Sequence, residues 1–311
     1  MRFPAYATVS DRLFYYAYIA VCALIFAFLV APILVIVPLS FNAEPYFTFT
    51  EEMLRLNPEG YSLRWYRMLG ALGMQNPDET GLVQWWSDLW ANATWVDAAK
   101  NSLIIGFWTT LLSTVLGTLA ALGLSRPEMP FRRLIMAILI SPMIVPIIIV
   151  ATGMFFFFSS PCDVIGLECG RLTSTYTGVV LAHTILGTPF VIITVTATLS
   201  GFDRSLTRAA ASLGADPWTT FRRIVLPLIF PGIVSGALFA FVTSFDEVVA
   251  VLFIAGPEQQ TIPRQMWNGI REQISPAILA VATILVVLSV ALLATVELLR
   301  RRTERLRGVA S

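Results

Sequence analysis

The chain has 311 residues, of which 56% are hydrophobic and 13% charged, and its formal net charge is +1. That is too apolar for a soluble domain of this length and fits a polytopic membrane protein, and the near-neutral balance argues against nucleic acid or another polyanion as partner. One histidine, His183, and one lysine, Lys100 in Ala-Ala-Lys-Asn, leave His-based zinc sites, most His-driven acid–base schemes and a Gly-Lys-Ser/Thr phosphate loop without their parts, so neither a metal site nor ATP hydrolysis is expected on this chain.

A membrane-spanning helix needs about 20 mostly apolar residues. Six segments qualify, at 14–39, 102–124, 134–158, 176–199, 228–254 and 276–299. The first is preceded by Asp11-Arg12, and its apolar run far exceeds the roughly 7–15 residues of a signal peptide, so it reads as a retained span. Six spans put both termini on one side. Grouping the N-terminus, the loops near 125–133 and 200–226, and the C-terminus gathers 14 of the 21 basic residues on that face, against 7 on the other. The positive-inside rule makes that face cytoplasmic. The domain reading is a cytoplasmic N-terminus (1–13), a transmembrane domain (14–299) and a basic cytoplasmic tail (300–311). No internal repeat is evident.

Taken in chain order, Cys22 in the first span reads as a packed thiol. The external segment 42–96 carries Trp65, Trp85, Trp86, Trp90 and Trp95. Residues 82–90 suit a short amphipathic helix on the membrane surface. Tryptophan favours that interface, so the segment is either a membrane-belt anchor or a docking surface for an external partner. Thr109, Thr110 and Ser113 in the second span could line a path, although hydroxyls also bond their own helix. Cys162 and Cys169 flank a short polar loop, and form a disulfide or stand as two free thiols. Pro32, Pro142, Pro146, Pro189 and Pro231 recur inside the spans, as kinks or as ordinary packing irregularities. His183 in the fourth span reads as a packed, hydrogen-bonded residue.

The loop before the fifth span is the most informative stretch: Arg208-Ala-Ala-Ala-Ser-Leu-Gly214-Ala-Asp216-Pro-Trp-Thr-Thr-Phe221-Arg-Arg-Ile-Val-Leu226-Pro227. Asp203 or Ser205 caps a first helix at 206–213, and Gly214 ends it. Asp216-Pro217 starts a second helix, with an apolar face from Phe221, Ile224 and Val225. Pro227 marks entry to the fifth span. A helix, a glycine turn and a second helix suit insertion into a cleft of a cytoplasmic partner. Within the fifth span lie Asp246 and Glu247, towards its external end. Charges at that depth face a cavity or a partner. They serve either a path for a cationic solute, with Phe245 or Trp267 adding cation–π contact, or an external gate. Adjacent on a helix, the two acids point about 100° apart and are not expected to share one role.

The loop resembles the "EAA" motif of ABC-importer permeases: Ala209, Ala210, Gly214 and Leu226-Pro227 match in spacing, while Arg208 stands where that family carries Glu. The resemblance runs from about Asn101 to the C-terminus, with further marks at Ala182-His183-Thr184, Pro189-Phe190-Val191, Gly201-Phe202-Asp203-Arg204-Ser205-Leu206, Ser244-Phe245-Asp246-Glu247-Val248, Gly256-Pro257 and Thr261-Ile262-Pro263 with Met266-Trp267. Together they are similar to the second permease of spermidine/putrescine importers. The resemblance implies an all-α integral membrane protein with the six-helix, MetI-like type I importer fold and both termini cytoplasmic. It also implies a non-catalytic bacterial inner-membrane subunit forming half of the path for a polyamine or similar cation. Asp203, Arg208, Ala209, Ala210, Gly214, Asp216, Phe221 and Pro227 would form the ATPase-coupling element. The implied partners are a cytoplasmic ATPase dimer holding ATP and Mg, a second, homologous but non-identical permease, an external solute-binding protein and the bilayer. Other readings are a permease of the same subfamily for another small polar solute (an opine, an amino-acid derivative, a phosphonate) or a stand-alone secondary carrier.

Overall fold

The computed structural model describes residues 8–306, apart from 79, 127, 161, 165, 166, 204 and 273–275. Its helices are α1 (Val9–Leu39), α2 (Glu51–Leu54), α3 (Arg64–Ala71), α4 (Leu82–Asn92), α5 (Thr94–Leu124), α6 (Arg132–Ile144), α7 (Ile147–Ser159), α8 (Tyr176–Ser200), α9 (Ser205–Ser212), α10 (Pro217–Thr220), α11 (Leu226–Phe245), α12 (Val249–Ile254), α13 (Ile262–Glu272) and α14 (Ala277–Leu306). The polar loop between α7 and α8 folds as an antiparallel hairpin, β1 (Cys162–Val164) against β2 (Leu167–Cys169). The chain forms two compact units, one from residues 1–72 with 269–311, the other from 73–268. The tryptophan-rich segment 42–96 is thus divided between them.

In the first unit, α1 opens on a reciprocal cap. Asp11 N donates to Thr8 Oγ1 at 3.2 Å, and Thr8 N donates to Asp11 Oδ2 at 2.9 Å. Large apolar side chains such as Leu24, Phe26 and Phe28 stand exposed along α1, a helix long and apolar enough to cross a membrane. Cys22 is exposed as well, so the expected packed thiol is corrected. α14 packs against α1 and α3. After α1 the chain condenses around Asn42, which is fully buried. Its Nδ2 donates to the carbonyls of Tyr46 and Thr48, its Oδ1 accepts from Glu44 N, and its own carbonyl accepts from Trp65 Nε1 at 2.7 Å. With Met53, Trp65 and Leu69 buried beside it, this is a folded module rather than a loose loop.

The second unit is built on α5, α8 and α11. Glycines let these helices approach closely. A Cβ added at Gly117 would lie 2.6 Å from Val191 Cβ, and one at Gly236 would lie 2.5 Å from Thr194 Oγ1 and 2.8 Å from Val191 Cα. Ala121, Val191, Val195, Ile229 and Ala240 form one buried cluster, and a second gathers Ile105, Phe158, Val179, Leu186 and Val251. Thr109 and Ser113 are fully buried and donate to the α8 carbonyls of Val180 and Thr184, so they serve the helix contact. Thr110 donates to Gly106 within its own helix.

Two long-range hydrogen bonds set the directions. Tyr176 Oη, in the first turn of α8, donates to Asn101 Oδ1, near the start of α5, at 2.7 Å. The starts of α5 and α8 therefore share one end of the unit, and the two helices run parallel. A chain that leaves the far end of α5 and re-enters beside its start has crossed the unit's length in between. α6 and α7, bent by 102° with respect to each other, make that crossing together. The bend falls at Val145-Pro146, where proline drives its predecessor out of the helical region. Ser174 N, just before α8, donates to Ile254 O at the end of α12. α11 therefore runs the other way, and the 203–227 loop lies at the end opposite Asn101.

The expected spans are recovered in part. Among the described residues, four helices are long and apolar enough to cross a membrane: α1, α5, α8 and a continuous helix Pro217–Phe245. The α6–α7 pair makes up to five, and Ala277–Ala291 is a shorter apolar helix among the described residues. The fifth span stops at Phe245 rather than running to 254, because α12 is a separate helix beyond a break at 246–248.

Candidate functional site

Each joint of the 203–227 loop is closed by local hydrogen bonds. Asp203 accepts Ser205 N at 2.8 Å and Ser205 Oγ at 2.6 Å, ahead of α9. At the other end of α9, Ala215 N donates to Ala210 O and Gly214 N to Ala211 O, while Gly214 takes φ +82°. That is a Schellman closure around a left-handed residue, which glycine adopts without a Cβ penalty. Asp216 then caps α10. Its Oδ1 accepts from Trp218 N and Thr219 N at 2.9 and 3.0 Å, and its Oδ2 from Thr219 Oγ1 at 2.6 Å. The Thr219 hydroxyl, helped by these backbone N–H groups, holds the Asp216 carboxyl below the usual carboxylate range. Ser205 does the same for Asp203, with a smaller contribution from the Arg208 charge.

Ala210 alone of the α9 alanines is buried, so Arg208 and Ala209 face outward. Leu213 is 89% exposed and Trp218 67%, with Trp218 stacked on half-buried Phe221 at 5.8 Å. The loop thus presents apolar side chains on a backbone that is already fixed. The second helix leads into the span without a break. α10 passes through a π-helical turn, Phe221–Val225, straight into α11. Leu226 N reaches back five residues to Phe221 O, and this wider turn makes room for Pro227, which has no N–H and crowds the carbonyl four residues behind.

At the opposite end, the two acids separate. Asp246 is exposed and follows the last turn of α11, its N–H on Val242 O. Glu247 is only 8% exposed, and its Oε1 accepts Ala250 N at 2.9 Å, closing the first turn of α12. The expectation that both sit inside the fifth span is therefore corrected to a break between two helices. Asp246 is exposed and Glu247 buried, so the two acids stand in different surroundings. Phe245 stacks on Phe241 at 5.7 Å. Trp267, on α13, is partly exposed, and among the described residues no hydrogen bond or ring contact joins it to the acids. His183 is buried, with Nδ1 and Ser244 Oγ 2.8 Å apart. Cys162 and Cys169 are opposite one another in the hairpin register, while their side chains lie outside the described residues.

Sequence reasoning missed a polar clamp at this end. Asn101 Nδ2 donates to the carbonyls of Glu258 and Gln260 at 2.8 and 2.9 Å, and Ser102 Oγ accepts Ile262 N. Gln259 Oε1 takes Gly256 N, and Arg264 Nη1 donates to the carbonyls of Ala255 and Gly256. The α12–α13 connection is thereby tied to α5. Gly256-Pro257 signalled a turn, but nothing local signalled partners more than 150 residues away.

The comparisons agree with this architecture. Residues 113–305 match the family model described as "Binding-protein-dependent transport system inner membrane component". The spermidine/putrescine transport system permease PotC of Haemophilus influenzae is 30% identical over 278 residues, covering 89% of this chain and 94% of that protein. The putrescine transport system permease PotI of Escherichia coli is 30% identical over 272 residues, covering 86% and 84%. A probable molybdenum ABC transporter permease of Haloferax volcanii is 32% identical over 200 residues, covering 64% of this chain and 73% of that one. Among solved structures, a bacterial importer of the acidic polysaccharide alginate aligns with TM-score 0.66 at 13% identity, covering 94% of this chain and 99% of that one, which speaks for the fold alone. The family match spans well over half of the chain, which therefore belongs to the binding-protein-dependent transport system inner membrane components, the non-catalytic permease subunits of ABC importers.

Proposed function

We propose that this permease forms half of the translocation path of an ATP-driven polyamine importer, with six spans (α1, α5, the α6–α7 pair, α8, α10–α11 and α14) and both termini in the cytoplasm. The observation that carries the reading is the 203–227 loop. It is preorganised and apolar-faced, and it lies at the end of the second unit opposite the acids. In this reading Asp203, Arg208, Ala209, Ala210, Gly214, Asp216, Phe221 and Pro227 build the element that docks on a cytoplasmic ATPase dimer, where ATP and Mg bind. An external solute-binding protein delivers the cargo, and a second, homologous permease supplies the other half of the path. Asp246, exposed where α11 ends, is the group that meets an ammonium, while Glu247 holds the start of α12. Similarity to PotC and PotI supports a polyamine cargo.

The reading is tested by reconstituting the chain with its neighbouring permease, ATPase and binding protein in liposomes. ATP-dependent uptake of labelled spermidine or putrescine is expected. Uptake that survives ATP depletion but collapses with the proton gradient would mean a secondary carrier. A second reading, another small polar solute, is favoured by the similarity to a permease named for molybdenum. It holds if the binding protein ignores polyamines and ATP-driven uptake follows its own ligand.

A further inference from the structure

We infer that α4 is an interfacial membrane helix, seated in the outer headgroup layer by its tryptophans, and that lipid rather than a protein covers its exposed apolar face. At about 100° per residue, Leu82, Trp86, Trp90 and Val83 share an arc of about 100°. All four are exposed. Leu89 is buried and Trp85 and Asn92 are half-buried, so they face the body of the unit. Gln84, Ser87 and Ala91 are exposed on the remaining side, with Asp88 at its edge. The helix thus has a packed sector, a polar sector and a free apolar sector adjoining the packed one. That division suits a helix lying in the plane of an interface, with its apolar face sunk about 5–10 Å.

Attachment to α5 sets the depth. Only Ala93 separates α4 from α5. Lys100 Nζ donates to Trp90 O and to Asp97 Oδ1, the latter at 2.8 Å, and lies 4.7 Å from the Trp90 ring centroid. The large exposed apolar residues of α5 begin at Leu103, Ile104, Phe107 and Trp108, which marks the hydrocarbon edge. Lys100 is three residues above Leu103, or about 4.5 Å of helix, and its side chain leans back toward the N-terminus. The C-terminal end of α4 therefore lies within about 10 Å of the hydrocarbon, at headgroup level. Tryptophan belongs at that depth. The orientation is fixed from the other side too: Asp88 accepts the N–H groups of Gln75 and Asn76 and the Asn92 side chain. α4 carries no basic residue, so its contact is apolar and independent of lipid charge.

The test uses the assembled importer in phosphatidylcholine nanodiscs, with native cysteines replaced and spin labels placed through Val83→Cys, Trp86→Cys, Gln84→Cys and Ala91→Cys. Labels at 83 and 86 are expected to show a several-fold higher ratio of oxygen to nickel-chelate collision than labels at 84 and 91. Adding phosphatidylglycerol should leave the pattern unchanged. Equal nickel access at all four positions would overturn the inference. So would shielding of 83 and 86 that appears only when the solute-binding protein is added, or a pattern that requires anionic lipid. A second measurement keeps the native cysteines: brominated lipid should quench less of the total tryptophan emission in Trp86→Phe/Trp90→Phe than in the parent, and equal quenching counts against the lipid contact.

Discussion

Replacing Gly214 by alanine isolates the backbone of the loop turn. Gly214 holds φ +82°, and a Cβ built there meets nothing within 4 Å, so the substitution adds no clash and only backbone strain. A left-handed conformation costs an L-residue about 1–2 kcal/mol. If the turn docks in the conformation described, that strain reappears as a drop of roughly 5- to 30-fold in affinity for the ATPase. Asn, which tolerates this region better, should recover part of the loss. The assay is titration of purified ATPase onto the permease in nanodiscs, read by fluorescence anisotropy, for the parent, Gly214→Ala and Gly214→Asn. Parent-like affinity in Gly214→Ala would refute the reasoning, because the docked turn would then not use this backbone. Equal losses in both variants would point instead to the added side chain meeting the partner.

Other expectations follow from the same geometry. Gly236→Ala drives a Cβ into the α8 backbone and should destabilise the protein by about 1–3 kcal/mol, whereas Gly123→Ala, with open space around it, should gain up to about 1 kcal/mol in helix propensity; thermal melts in detergent check the opposite signs. Asp246→Asn should lower uptake of a cationic solute at unchanged stability. Glu247→Ala should cost about 1–3 kcal/mol by leaving Ala250 N unpaired, while Glu247→Gln keeps an acceptor and loses less. Asp203 and Asp216 have lowered carboxyl pKa values, so their contribution to loop order is present above the unfolded carboxylate range and fades as pH falls through the folded values. ATPase docking should weaken only on that acid side, and Asp216→Asn should flatten part of the decline. Opposed residues of an antiparallel pair lie about 4.5–5.5 Å apart at Cα, within disulfide reach, so Cys162 and Cys169 should resist alkylation until reduced.

Hydropathy and local grammar made much of this legible. The apolar runs located the long helices, and Asp216-Pro217 and Gly214 located the ends of the loop helices, because caps and left-handed turns depend on near neighbours. Four features escaped. Pro227 read as a boundary, but a π turn absorbs it, and no residue-level signal distinguishes the two outcomes. The stop at Phe245 was hidden because α12 is as apolar as the span before it. Val145-Pro146 breaks its span whereas Pro142, Pro189 and Pro231 sit within helices, a difference that proline itself does not signal. Asn101 pairs with residues 157 and 159 positions away, which one sequence does not reveal.

The uninterrupted helix from Pro217 to Phe245 has a mechanical consequence. Its 29 residues make a rod of about 43 Å with one end in the loop and the other beside Asp246. Used as a lever, a tilt of about 5° at the loop end displaces the far end by about 4 Å at that length. A stroke delivered at Trp218 therefore needs no relay through side chains to reach the acids. Its transmission depends on stiffness, and the compliant points are the π turn at 221–225 and the two prolines, Pro227 and Pro231, none of them beyond the midpoint of the rod.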